Sequence, residues 1–194
     1  MTSRPVSMWN PANLMTMARL VMVPVFVWLF LVGTTQARWW AVAVFVVAAF
    51  TDMADGYLAR RYNWITNFGK LADPIADKAL VIGALVLLTW EGSLWWWVAP
   101  VIIVRELGIT LMRLFLARVE VIAASWMGKL KTVCQLGFIT FLLVPWSTFA
   151  APGAVVGMAW LTRALIVVAV ALTLWSGGQY VVAAVRSARG RRAA

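Results

Sequence analysis

The chain has 194 residues, of which 63% are hydrophobic and only 12% charged, so it is too apolar for a water-soluble fold and has no room for a separate soluble domain. A single Cys134 and the absence of histidine exclude a disulfide framework and the usual zinc ligand sets, leaving oxygen donors as the available metal chemistry. The net charge of +10 does not point to nucleic acid, because the basic residues stand beside the ends of apolar runs, where anionic lipid headgroups account for them.

Runs such as VMVPVFVWLFLV and LIVVAVALTLW are apolar on every side, unlike the alternating pattern of a membrane β-strand, so the spanning elements are helices. In chain order the apolar stretches predict spans at about 12–33, 38–60, 71–90, 94–116, 128–146 and 162–184. This is an all-α polytopic membrane protein of six transmembrane helices, with residues 1–194 forming one domain. The first stretch carries Arg19 and ends on a weak cleavage site, so it is expected to remain as a span. Arg4, Arg60, Arg61, Lys70, Arg113, Arg118, Lys129, Lys131 and the arginines after 185 fall on one side of such a topology, whereas Arg38 and Arg163 fall on the other. By the positive-inside rule both termini are cytoplasmic. Trp39, Trp40, Trp90, Trp95, Trp96, Trp97, Trp146 and Trp160 gather at the opposite boundary, as an interfacial aromatic belt does.

Five of the seven acidic residues fall inside these spans, where ionisable groups usually mark a site. Asp52 and Asp55 lie three apart at the cytoplasmic end of the second span, and Asp73 and Asp77 lie four apart at the start of the third, so each pair shares a helix face. Antiparallel packing of those helices brings four carboxylates together. Their mutual repulsion calls for divalent cations, and two Mg²⁺ or Mn²⁺ ions suit carboxylate and phosphate oxygens. Such a pair forms a clamp for a phosphoryl or diphosphate centre. Gly56 and Gly69 leave room for close approach, Ala59 keeps the face narrow, and Arg60 offers a fork suited to phosphate.

The spacing D-x2-D-G-x2-A-R-x8-G-x3-D-x3-D, carried by Asp52, Asp55, Gly56, Ala59, Arg60, Gly69, Asp73 and Asp77, resembles the signature of the CDP-alcohol phosphotransferases. The segments NPANLMTMARL, IVRE, SWMGKLKT and LTLWSGGQY are similar to those of members that make phosphatidylglycerophosphate. The resemblance implies six helices around a cytoplasm-facing site in the inner membrane, usually in a homodimer. It implies transfer of the phosphatidyl group from CDP-diacylglycerol to glycerol 3-phosphate, with release of CMP. On that analogy Asp52, Asp55, Asp73 and Asp77 hold the metals and Asp77 is also the general base. Gly56, Ala59, Arg60, Thr66 and Gly69 then contact the CDP moiety, and Asn13 and Thr16 reach the cytidine.

A glycerol phosphate acceptor needs cations of its own, and Arg105, Lys129 and Lys131 are the candidates, Arg105 because an arginine well inside a span requires a partner. Glu106 is expected to point a different way around the helix from Arg105 and to pair with Arg19 or Lys131. Glu91 is expected to be a solvated loop charge. Two other readings keep the donor chemistry and change the acceptor, to phosphatidylglycerol or to inositol phosphate. A divalent-cation transporter is a reading of another class, but it predicts acids near the bilayer midplane on broken helices.

Overall fold

Helices satisfy every backbone polar group within one segment, and that requirement turns each apolar run into a helix. The computed structural model describes the backbone of residues 11–62, 67–116 and 126–192, and the side chains of 14–51, 78–112, 128, 130–179 and 182. In chain order these residues form α1 (Pro11–Val32), α2 (Thr35–Tyr62), α3 (Asn67–Trp90), α4 (Val98–Leu116), α5 (Trp126–Leu143), a 3₁₀ turn (Trp146–Thr148) and α6 (Pro152–Arg192). No strand occurs among the described residues. The first five helices match the predicted spans to within four residues at each end.

The last helix does not. It runs for 41 residues, starting ten before the predicted span and ending eight after it. Pro152 presets the first turn, and the alanines and arginines of the far end favour helix beyond the apolar stretch, so the helix outlasts the hydropathy signal.

Phe26, Phe45, Leu85, Leu88, Ile102, Phe138 and Leu143, drawn from α1 to α5, form the buried centre. Bulky apolar side chains also cover the outside, among them Trp28, Phe50, Val104, Trp160 and Trp175. Leu14–Val32 and Pro152–Gln179 are long and apolar enough to cross a membrane, yet only 22% of each stretch is buried. Apolar surface on that scale is matched to lipid rather than water, and the chain is a membrane protein.

Helix α1 packs on α2 and α3, α6 packs on α4 and α5, and α3 touches both α4 and α5. Among the described residues α4 and α5 make no close backbone approach to each other, so a gap remains between them that long side chains must fill.

Arg38 ties together the tryptophan-rich end. Its Nη1 and Nη2 donate to the two carboxylate oxygens of Glu91 at 2.8 Å each, its Nε donates to the Leu143 carbonyl at 3.0 Å, and its guanidinium lies 4.1 Å from the Phe30 ring centroid. One side chain thus joins α1, α2, the turn after α3 and the last turn of α5. Glu91 is thus the exposed loop charge expected from sequence and also an ion-pair partner, because the turn after α3 brings it back over the start of α2. Gly92, at φ 82°, makes that turn possible; its N–H donates to the Thr89 carbonyl at 3.1 Å, in a conformation that penalises a Cβ.

Burial works to raise the Glu91 pKa, but the Arg38 hydrogen bonds, the Ser93 hydroxyl and the Arg38 charge outweigh it and hold the carboxyl below its ordinary value of 4.5. A depressed folded-state pKa gives stability that is fully present above the unfolded value and is lost as pH falls through the folded one. The thermal midpoint in detergent should therefore drop as the pH is lowered below 4.5. Glu91→Gln should start lower at neutral pH and show a flatter dependence over that window. The effect is modest, since Glu91 is largely exposed. Identical pH profiles for the two proteins would show that the ion pair contributes nothing.

Candidate active site

Lys78, the residue after Asp77, lies on α3, Arg105 and Glu106 on α4, and Lys131 on α5. All three cations converge on the buried Glu106 carboxylate across the gap between α4 and α5. Lys78 Nζ donates to Glu106 Oε2 at 2.7 Å, Lys131 Nζ donates to Oε1, and Arg105 Nη1 donates to Oε1 at 3.1 Å. Arg105 Nη2 donates to Ser176 Oγ on α6 at 2.6 Å, and that hydroxyl donates in turn to the Leu172 carbonyl. The arginine stem passes close to Gly177, where a Cβ would lie in ordinary contact, 3.5 Å from Arg105 Cγ.

A cavity of about 200 Å³ opens beside this cluster. Its polar wall is Arg19, Lys78, Glu106, Lys131, Thr132 and Gln135, and aliphatic side chains such as Leu85 and Ile102 close the rest. Among the described residues three cations share this one carboxylate, in surroundings where charge is weakly screened. Arg105 Nε has no hydrogen-bond partner among the described residues. Cations grouped in this way are the kind of lining that phosphate monoesters complement.

The cluster corrects one expectation and bears out another. Arg105 and Glu106 do not diverge around α4; the long arginine side chain folds back to reach its neighbour. Glu106 does pair with Lys131. Arg105 itself stands behind Glu106, toward α6, and is not part of the cavity wall. Thr16 is buried on the same face of α1 as Arg19, three residues further along.

The backbone puts Asp52, Asp55, Gly56, Ala59 and Arg60 in the C-terminal part of α2, and Gly69, Asp73 and Asp77 in the N-terminal part of α3, two helices that pack together. The side chains of these residues, and those of Asn13 and Lys129, lie outside the described residues, as does Thr66 altogether. Among the described residues no group of three or more His, Cys, Asp or Glu forms a metal site. The donor chemistry of the aspartates, all carboxylate oxygen, fits Mg²⁺ or Mn²⁺.

Sequence reading passed over Lys78 and Gln135. The signal for Lys78 was its place directly after the last motif aspartate. For Gln135 it was the spacing of four from Lys131, which puts both on one face of α5.

The family model for CDP-alcohol phosphatidyltransferase matches residues 9–175. A probable phosphatidylglycerophosphate synthase of Mycobacterium tuberculosis (strain H37Rv) is 45% identical over 186 residues, covering 94% of this chain and 85% of that one. The CDP-diacylglycerol–glycerol-3-phosphate 3-phosphatidyltransferase of Escherichia coli (strain K12) is 40% identical over 181 residues, covering 91% of this chain and 95% of its own. With the family model spanning most of the sequence, and with relatives of this similarity along nearly its full length, the chain belongs to the CDP-alcohol phosphatidyltransferase family.

Proposed function

We propose that this protein transfers the phosphatidyl group of CDP-diacylglycerol to glycerol 3-phosphate, giving phosphatidylglycerophosphate and CMP. The observation that carries the reading is the cavity beside the motif, whose described lining holds more cations than carboxylates. Such a lining suits an acceptor that carries a phosphate. The printed names of the relatives from Mycobacterium tuberculosis and Escherichia coli support the same choice of acceptor.

In the proposed reaction Asp77 takes the proton from the 1-hydroxyl of glycerol 3-phosphate. The oxygen attacks the phosphorus that carries diacylglycerol, and the bond from that phosphorus to CMP breaks. A carboxylate is a weak base for an alcohol, so positioning and charge stabilisation carry much of the acceleration. Asp52, Asp55, Asp73 and Asp77 would hold two Mg²⁺ or Mn²⁺ ions, which when bound neutralise the diphosphate and the charge developing on CMP. Gly56, Ala59, Arg60, Thr66 and Gly69 embrace the CDP group, with Asn13 and Thr16 toward the cytidine. Lys131 and Lys129 bind the acceptor phosphate, joined by Lys78, and Arg105 supports them from behind through its contact with Glu106 rather than by touching the phosphate.

The same reading places six spans in the cytoplasmic membrane, with both termini and the aspartates on the cytoplasmic side and two copies per assembly. Lys78 and Lys131 are each twelve residues from the tryptophan-rich ends of α3 and α5, about 18 Å along the helices. That separation, a little over half of a hydrocarbon core about 30 Å thick, supports a cavity nearer the boundary opposite the aromatic one.

Purified protein supplied with CDP-diacylglycerol and Mg²⁺ should release CMP with glycerol 3-phosphate and not with phosphatidylglycerol, inositol phosphate or glycerol. Release of CMP with one of the other acceptors would assign the chain to that product instead.

A further inference from the structure

Gln135 is 4% exposed, and its Oε1 has no hydrogen-bond partner among the described residues. Buried amides are almost always satisfied, so an orphaned acceptor on the wall of a polar cavity points to a donor that arrives with the ligand. The nearest cation along its helix does not fill that role. Lys131, one turn away on the same face of α5, is committed to Glu106. The other groups on this wall that face the cavity are chiefly cations, which complement phosphate, whereas Gln135 offers a neutral acceptor suited to a hydroxyl.

We infer that Gln135 is a specificity-determining residue that accepts a hydrogen bond from the secondary hydroxyl of the acceptor. This rests on the reading that the acceptor is glycerol 3-phosphate. Of that molecule's three polar groups, the phosphate belongs with the lysines and the primary hydroxyl must face the base and the lipid phosphorus. Only the hydroxyl on the middle carbon remains, one carbon from the phosphate ester. Lys131 and Gln135, one helical turn apart, match that neighbouring pair of an anion and a hydroxyl. An acceptor without the hydroxyl leaves the amide buried and unpaired, and sites built this way reject such analogues strongly.

The test compares glycerol 3-phosphate with 3-hydroxypropyl phosphate, which keeps the phosphate and the reacting primary hydroxyl but lacks the secondary one. CMP release by the full-length enzyme with CDP-diacylglycerol and Mg²⁺ gives kcat/KM for each. The parent enzyme is expected to favour glycerol 3-phosphate by about 10- to 100-fold, the cost of leaving one buried acceptor unpaired. In Gln135→Leu that preference should collapse, through loss of activity on glycerol 3-phosphate alone, with the KM for CDP-diacylglycerol unchanged. Gln135→Met, closer in shape, is measured in parallel in case the leucine variant does not fold. Equal use of the two acceptors by the parent enzyme, which needs no variant, overturns the inference, as does full discrimination in either active variant. Absence of CMP release by the parent with both acceptors would instead overturn the proposed function, and this inference with it.

Discussion

Asp77→Asn is expected to lower the rate of CMP release by about 10²- to 10⁴-fold while leaving binding of CDP-diacylglycerol largely intact. Asparagine keeps the size of the side chain and one carbonyl oxygen, but it cannot take a proton from the attacking hydroxyl. On the proposed mechanism that transfer accompanies attack at phosphorus, so the loss falls on turnover. Steady-state CMP release and calorimetric titration of the CDP-lipid into detergent-solubilised protein separate the two effects. Activity at the parental level would remove Asp77 from the role of base, and loss of lipid binding in equal measure would make it chiefly a metal ligand.

Glu106→Gln should lower stability markedly. The glutamate is the shared counter-ion of Lys78, Arg105 and Lys131, and its side chain is buried. Removing its charge leaves the cations to repel one another in weakly polarisable surroundings, and breaking a buried ion pair from one side typically costs about 3–5 kcal/mol. The thermal midpoint in detergent should fall accordingly. Inorganic phosphate should restore more of the loss in Glu106→Gln than it adds to the parent protein, because a bound anion supplies the missing negative charge. A variant as stable as its parent would show that the three cations are well solvated. A fall in stability without recovery by phosphate would show that the cavity does not admit the anion.

These two substitutions probe different kinds of legibility. Asp77 stood out in the sequence because carboxylates within apolar spans are rare and because four of them repeat at helical spacing. Glu106 was visible as a buried acid, but its partners were not all visible. Lys131 was anticipated and Lys78 was not, since Lys78 reads as one more basic residue near a membrane boundary until α3 is packed beside α4. Arg105 was assigned to the phosphate directly; in the fold it stands behind the carboxylate and is held by Ser176, a contact spanning 71 positions of sequence. Arg38 and Glu91 looked like separate charges at the outer face, and only the turn at Gly92 makes them a pair.

Sequence alone determined the all-helical class, the places of the first five helices and the family to which the motif belongs, because these depend on local hydropathy, helical periodicity and side-chain type. Hydropathy placed the last helix only in part, being blind to residues that favour helix without being apolar. Tertiary packing decided which cations share a carboxylate, that α4 and α5 stay apart around a cavity, and that Gln135 faces it with an oxygen unpartnered among the described residues. Contacts of that kind depend on how helices distant in sequence rotate and lean against one another, and no local pattern encodes that.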